Sequence, residues 1–362
     1  MSDKKTQSRI VRRIRRKKKR SGKKRFMLFI LVSLLIVSLP ILSYMTYLYI
    51  KADSAISESY VDDGREKSPL RDTKVDPSKD HVSVLIIGVD ASNKRNNDDD
   101  SLSDALMLAT LNKKDNSIKM LSIPRDSKVY IPEIGYEDKI NHAHSYGGTH
   151  ATVETVEGLL DIPVDYWVKV NFHAFIDIVD ALDGITVDVP YEVYEQDSED
   201  TPNAIHLLPG KQHLNGEEAL ALARTRKMDN DVERGKRQQE IIKAILKKSI
   251  ALDSILKYDD IIETVGSNMS TNMTFSEMKS FIAYGTSGQD LDIETLTLEG
   301  EDLWVYEPEK RYYWQLDELA LQSTIRELRQ HLELEDDPSI HNRHSQLSQP
   351  ERPSDNQFNT DY

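Results

Sequence analysis

Apolar and polar positions divide the chain beyond residue 25 into four stretches. Residues 26–50 form one uncharged run, mostly Leu, Ile, Val, Phe, Met and Tyr. Residues 51–80 are polar and lack periodic apolar positions. Residues 81–333 alternate strand-like and helix-like patterns, and residues 334–362 return to Gln, His, Pro and Asp with few aliphatics. Within the long middle stretch, short β-branched runs predict strands at 82–87, 105–111, 118–123, 166–170 and 185–189, with one or two more near 291–298. Helical spacing marks 152–160 (Val153, Val156, Leu160) and 172–182 (Phe172, Phe175, Ile176, Val179, Leu182), the second ended by Gly184. Asn215 followed by Glu218 has the form of a capping box opening a helix through 219–222. Residues 234–250 form a long amphipathic helix with Ile241, Ile242, Ile245 and Leu246 on one side, and 275–284 and 316–332 predict two more. No internal repeat is visible. Strands alternating with helices predict an α/β fold, with a central mixed sheet, largely buried, flanked by helices.

Charge gives the ends their meaning. Residues 1–25 carry 14 Lys and Arg against the single acid Asp3, so the rest of the chain, against −14 for the whole, carries −27. A body that acidic argues against nucleic-acid binding, which needs a basic surface to neutralise phosphates. The 25 residues of the apolar run would span ~37 Å as a helix, enough to cross a hydrocarbon core of ~30 Å with some tilt. Tyr44, Tyr47 and Tyr49 crowd its far end, as interfacial aromatics do, and Arg12 to Lys24 precede it. The expectation is therefore a basic cytoplasmic tail at 1–25 that can touch anionic lipid, and one N-terminal transmembrane helix at 26–50. A flexible extracytoplasmic stalk at 51–80, a large outer domain at 81–333 and a disordered tail at 334–362 follow. That is the single-pass type II topology of a cell-membrane protein. The chain has no cysteine, which excludes disulfides, thiolate metal sites and a cysteine nucleophile.

Candidate chemistry sits where two predicted strands end, at Asp90 and at Pro124-Arg125-Asp126, since ligands of open α/β sheets bind beyond the carboxyl ends of strands. The segment from Arg224 to Gln239 adds Arg224, Arg226, Asp231, Arg234, Arg237 and Gln238. Arg224 and Arg226 share one face of an extended segment, whereas Arg234, Arg237 and Gln238 share one face of a helix near its start. Cations are unfavourable at a helix N-terminus, and a bound anion would remove that conflict. The alternative is a solvated charged face paired by Asp and Glu. Asp90 and Asp104 are candidate oxygen ligands for Mg²⁺, which takes one or two carboxylates plus substrate phosphates. Asp98, Asp99 and Asp100 read as a solvated loop. His142 and His144 lack the spacing of a zinc site, and no nucleophile-elbow, Walker A or dinucleotide motif is present.

The order Ile87-Gly-Val-Asp90, Ser103-Asp104-Ala-Leu-Met, Ser122-Ile-Pro-Arg125-Asp126-Ser, Lys139-Ile-Asn141 with Tyr146-Gly-Gly, Val170-Asn-Phe172, Leu214-Asn-Gly-Glu-Glu-Ala-Leu and Ala223-Arg224-Thr-Arg226 through Arg237-Gln-Gln resembles the LytR-CpsA-Psr family over roughly residues 81–250. The resemblance implies a phosphotransferase of Gram-positive cell walls. Such enzymes take a teichoic acid or related glycopolymer from an undecaprenyl-pyrophosphate carrier and join it to a peptidoglycan hydroxyl through a phosphodiester. Carried over by position, Asp90 and Asp104 would hold Mg²⁺ or Mn²⁺. Arg125, Arg224, Arg226, Arg234 and Arg237, with Gln238, would grip the pyrophosphate, and Asp231 would orient the arginines or assist proton transfer. The prenyl tail would need an apolar tunnel, to which the helices at 172–182 and 234–250 could contribute. The chain departs from the family at Ser92 and Leu102, where arginines are common, with Arg95 close enough to replace one. With water as acceptor the same site would make a lipid-pyrophosphate phosphatase. A non-enzymatic membrane regulator of envelope functions is the third reading.

Overall fold

The computed structural model describes residues 59–90, 101–226, 230–250, 268–285, 291–306 and 309–335, with most of residues 26–47. The tail at 1–25, Ser92, Arg95, Asp98 to Asp100 and residues 336–362 lie outside the described residues.

The chain forms two separate units, 1–54 and 55–362. In the first, the described residues between 26 and 47 are helical, and Phe26, Phe29, Leu34, Leu39 and Leu42 expose most of their side chains. Among the described residues, no helix is long and apolar enough to cross a membrane.

The second unit is built on a six-stranded sheet. Its strands are β1 (Val82–Val89), β2 (Ser103–Asn112), β3 (Ser117–Ile123), β6 (Tyr166–Val170), β11 (Met269–Thr271) and β12 (Asp292–Thr297), in spatial order β11-β6-β1-β2-β3-β12. The sheet is mixed: β1, β2 and β3 run antiparallel in sequence, β6 pairs parallel with β1 and β12 parallel with β3. The central strands read as near-continuous apolar runs because both of their faces are buried. On one face Leu85, Ile87, Leu108 and Leu121 pack with α1 (His142–Leu160, kinked at Gly147 and Gly148) and α6 (Glu318–His331). On the other, Val84, Met107, Ala109 and Met120 pack with α4 (Asp231–Ile250) and α5 (Phe275–Gly285).

A third cluster joins α2 (Phe172–Ala181), α3 (Gly216–Arg224) and the ribbon β7 (Ile185–Val189) with β10 (Gly210–Leu214) to Ile241 of α4. The chain leaves α2 through Gly184, whose φ of 71° is a conformation that suits glycine. The capping box at α3 is complete: the Asn215 side chain accepts from the Glu218 amide while the Glu218 carboxylate accepts from the Asn215 amide. Three more ribbons complete the unit: β4 (Lys128–Ile131) with β5 (Tyr136–Lys139), β8 (Val193–Glu195) with β9 (Ile205–Leu207), and β13 (Gly300–Val305) with β14 (Arg311–Leu316).

Residues 59–80 correct the expected stalk. They are laid against the sheet rather than free: Val61 N donates to Thr271 O at 2.9 Å, and Trp167 Nε1 donates to Asp63. Arg65 pairs with the buried carboxylate of Glu157 at 2.9 Å, and Arg71 forks onto Asp165 at 2.9 and 2.7 Å. A polar strap fastened by arginines lacks apolar periodicity, so in one dimension it looks like a flexible linker.

Candidate functional site

Five pieces of chain converge at one end of the sheet. β1 ends at Val89 and delivers Asp90. On the neighbouring strand, Gly88 faces Ala105 while Val89 faces Ser103, so Asp104 is the extra residue of a β-bulge. Bulges re-aim a side chain, and this one turns Asp104 into the same pocket as Asp90. β3 ends at Ile123 and is followed by Pro124-Arg125-Asp126. The end of α3 supplies Arg224 and Arg226, and the first turns of α4 supply Asp231, Arg234 and Gln238. Gly235 makes this convergence possible. A Cβ there would collide with Ser122 Oγ, so a bare backbone lets α4 lie directly on β3. Buried Gln239 fixes the contact by donating to the Met120 and Leu296 carbonyls at 2.8 and 2.6 Å.

Asp231 is the hub. Arg125 Nε stands 3.3 Å from it, Arg234 Nη2 3.3 Å and Arg226 Nη1 3.8 Å. Arg125 also donates from Nη1 to Asp104 Oδ1 at 2.7 Å. Burial opposes the charge on Arg125, but Asp231, Asp104 and Asp126 outweigh it and hold the guanidinium above its ordinary value. Arg234 is only 5% exposed, and the balance there runs the other way. Burial, with Arg125 and Arg226 adding repulsion, pulls it down to about 10 although Asp231 and Asp104 resist. Its buried Nε finds no hydrogen-bond partner among the described residues. A buried cation, repelled by its neighbours and holding an orphaned donor, is the arrangement a bound anion would relieve.

These groups rim a pocket of about 300 Å³. Asp90, Asp104, Arg224, Arg226, Arg234 and Gln238 line its polar side. Its inner wall is apolar, with Ile86, Met107, Phe175, Leu220, Ile241 and Ile242. Arg224 lies over the Phe172 ring, 4.9 Å from its centroid, and also donates to the Asp197 carbonyl. Gln238 Nε2 donates to the Ala223 carbonyl at 3.2 Å. A second hollow of about 300 Å³, almost wholly apolar, is lined by Val84, Ala109, Met120, Met278 and Phe281 and shares Ile86 and Ile242 with the first.

Of the residues singled out from the sequence, Asp90, Asp104, Arg125, Arg224, Arg226, Asp231, Arg234 and Gln238 come together here. Arg237 does not. Its buried guanidinium donates to the Leu222 and Thr225 carbonyls and lies 5.6 Å from the Tyr191 ring centroid, so it ties α4 to the end of α3 and presents nothing to the pocket. Helical spacing put Arg234 and Arg237 on one face, but a three-residue step also rotates the side chain about 60° away. Lys139 was not read as a site residue. It sits 2.7 Å from Asp126 Oδ1. Burial opposes the Asp126 charge, but the bond with Lys139 and the charges of Lys139 and Arg125 hold the carboxyl below its usual range. The only sequence signal for this pair is its place in the Arg125-Asp126 and Lys139-Ile-Asn141 motifs.

No group of three or more His, Cys, Asp or Glu that could hold a metal occurs among the described residues. Asp90 and Asp104, which line the same pocket, make a two-carboxylate donor set, which suits a hard cation that draws its other ligands from phosphate and water and does not suit zinc.

The sequence model of the LytR_cpsA_psr family matches residues 44–330. The polyisoprenyl-teichoic acid–peptidoglycan teichoic acid transferase TagT of Bacillus subtilis is 43% identical over 88% of this chain and 98% of its own. The transferase TagU of the same organism is 38% identical over 88% of this chain and 99% of its own. Among solved structures, TagT bound to LIIa-WTA superposes with a TM-score of 0.65 at 41% identity, covering 76% of this chain and 99% of that one. TagT with bound octaprenyl pyrophosphate lipid superposes with a TM-score of 0.60 at 38% identity, covering 75% and 98%.

Proposed function

The chain belongs to the LytR-CpsA-Psr family, and on that premise we propose that the pocket is the active site of a glycopolymer–peptidoglycan phosphotransferase. The enzyme moves a teichoic acid from a polyprenyl-pyrophosphate carrier to a hydroxyl of peptidoglycan. The observation that carries this reading is the joining of two unlike surfaces at Ile86 and Ile242. An arginine-rimmed mouth, which suits a diphosphate, lies against an apolar hollow, which suits a prenyl chain, and the two share these wall residues.

Phosphoryl transfer requires positioning and neutralisation of charge more than covalent chemistry from the protein. Arg224, Arg226 and Arg234 would hold the pyrophosphate oxygens, and its charge would satisfy the orphaned Arg234 donor. The acceptor hydroxyl oxygen forms a bond to the phosphorus nearer the glycopolymer, and the bond from that phosphorus to the bridging oxygen breaks. Polyprenyl phosphate leaves with the electron pair. The hydroxyl proton passes to a carboxylate, for which Asp231 is placed between Arg125 and Arg234. Asp90 and Asp104 would hold Mg²⁺ or Mn²⁺, which would neutralise charge building on the phosphates. Arg125, donating to Asp104 at 2.7 Å, would keep it aimed for that role.

The same reading extends to location. The exposed apolar side chains between residues 26 and 47, preceded by the basic tail, support a single membrane anchor with the catalytic unit on the outer face of a Gram-positive type envelope.

The test is transfer by the full chain in detergent with Mg²⁺, a labelled lipid-pyrophosphate-linked teichoic acid precursor and purified peptidoglycan. Label should become attached to peptidoglycan in the wild type and not in Asp90→Ala or Arg224→Ala. Release of free glycopolymer phosphate at the same rate without peptidoglycan would make the protein a phosphatase.

A further inference from the structure

The β13–β14 ribbon takes no part in the pocket. Its strands form a two-stranded sheet, and Trp314, which bridges in parallel to Ser127 and donates its N–H to the Asp126 carbonyl at 2.8 Å, tethers it to the loop after β3. Alternation along the two strands places Asp302, Trp304 and Tyr306 on one face with Lys310 and Tyr312. Trp304 and Tyr312 are cross-strand partners with ring centroids 5.2 Å apart. Lys310 Nζ lies 4.3 Å from the Trp304 centroid and 5.8 Å from that of Tyr306, and Tyr312 donates to Asp302 at 2.9 Å. Trp304 is 45% exposed and Tyr306 67%.

We propose that this face of the ribbon is the docking platform for the sugar chain of the peptidoglycan acceptor. The proposal rests on the transferase reading above and names where its second substrate is held. Three observations favour a glycan over other occupants. First, exposed aromatic rings with an acceptor (Asp302) beside them and a donor (Lys310) seated over one face match a pyranose, which has apolar C–H faces and a rim of hydroxyls and amides. Second, the patch is aromatic rather than aliphatic, and its strands carry Glu301 and Asp302, with Glu309 just before Lys310, which disfavours an anionic bilayer. Third, Lys139 links the platform to the loop that carries Arg125 and Asp126. Lys139 Nζ stands 5.7 Å from the Tyr312 centroid and 2.7 Å from Asp126, and Asp126 and the hub Asp231 lie 3.8 and 3.3 Å from the same Arg125 Nε. Burial, the bond to Asp302 and the charges of Asp126 and Asp231 all raise the Tyr312 phenol, which therefore stays a donor.

The experiment compares the full chain with Trp304→Ala, Trp304→Tyr and Tyr306→Ser in two assays: steady-state transfer with peptidoglycan varied, and retention of the protein on purified peptidoglycan. Loss of one aromatic stack should raise the acceptor KM of Trp304→Ala by about three- to tenfold while kcat and the donor KM move by less than about twofold. Retention should fall in step, and Trp304→Tyr should restore most of both. Tyr306→Ser changes a largely exposed side chain and should show the same split, so it decides the matter should Trp304→Ala unfold the ribbon. An unchanged acceptor KM in both variants overturns the proposal, as does a fall in kcat alone. If the wild type transfers nothing, the transferase reading fails, and retention still decides the platform: loss on Trp304→Ala supports it and no loss ends it. Equal retention of the wild type on liposomes and on peptidoglycan also ends it.

Discussion

The two faces of the six-stranded sheet are made from the same three strands and put to different uses. On the α1–α6 face, Leu85, Ile87, Leu108 and Leu121 are sealed at 0% exposure. On the α4–α5 face, Val84, Ala109 and Met120 look into a hollow of about 300 Å³, and the strand ends carry buried charge. Close packing is the ordinary condition of a protein interior, and empty apolar space costs stability. A hollow on this face, beside a buried and repelled arginine, fits the face proposed to bind. The difference between the faces should appear first in stability. Leu121→Ala removes a fully packed side chain and should cost about 2–5 kcal/mol. Ile242→Ala, on the wall shared by both hollows, only widens space that already exists and should cost clearly less. Urea unfolding of both variants is the measurement, and equal losses would remove the distinction.

The charged end sharpens the contrast, because there stability and activity should part company. Arg234→Met replaces a buried, repelled cation with an apolar side chain of similar length. Transfer should fall by about 10²–10³-fold in kcat/KM, the usual effect of losing one donor to a developing oxyanion. The urea midpoint should hold or rise, because replacing a buried charge with a packed apolar group is often neutral or stabilising. Full activity with a lower midpoint would make Arg234 a structural residue.

The closed face has its own titrating group. His331 of α6 is buried against β2 and β3, with one ring nitrogen 2.8 Å from Thr110 Oγ1 and the other 2.9 Å from Ser117 Oγ. Burial, with the charges of Lys119 and His81, pulls it down to about 4. Its folded value lies below its unfolded one, so the unfolded chain binds the extra proton first. The stability that the neutral ring contributes is whole above about pH 6.5 and is lost as pH falls toward about 4, on the order of 3 kcal/mol in all. Denaturation at pH 7 and pH 4.5 should show this loss, and His331→Gln should flatten it.

How much of this could be read from residues depends on the kind of signal. Strands β1, β2, β3, β6 and β7 and the helix α2 announce themselves because their apolar periods match their burial. The capping box of α3 does so because Asn215 and Glu218 have the spacing that cap needs. The small ribbons were silent: three-residue strands such as β8 and β9 are too short for alternation to register. The β13–β14 ribbon hides its pattern because its aromatic face is exposed. Within the site, the strand ends and the arginine-rich segment were legible as chemistry. The bulge that aims Asp104 was not, and neither was the turn of α4 that takes Arg237 away from Arg234. Gly235 could have been noticed as a glycine inside a helix. Its reason, the approach to Ser122, exists only in three dimensions.

The smallest expected effect probes whether the two hollows act as one. Ala109 faces the inner hollow and is 7% exposed. Ala109→Leu would place a branched side chain in that space without touching the arginine mouth. Filling a natural void commonly adds about 1 kcal/mol of stability, so the urea midpoint should rise slightly. A prenyl chain long enough to pass Ile86 and Ile242 would lose that space, whereas a short one would never reach it. Affinity for octaprenyl pyrophosphate should therefore weaken by roughly tenfold, the worth of one or two buried methylenes, while geranyl pyrophosphate binds as before. Equal weakening of both lipids would mean that the substitution disturbed the mouth. No weakening of either would confine the lipid to the outer hollow, and the inner one would then be a packing defect that the closed face does not share.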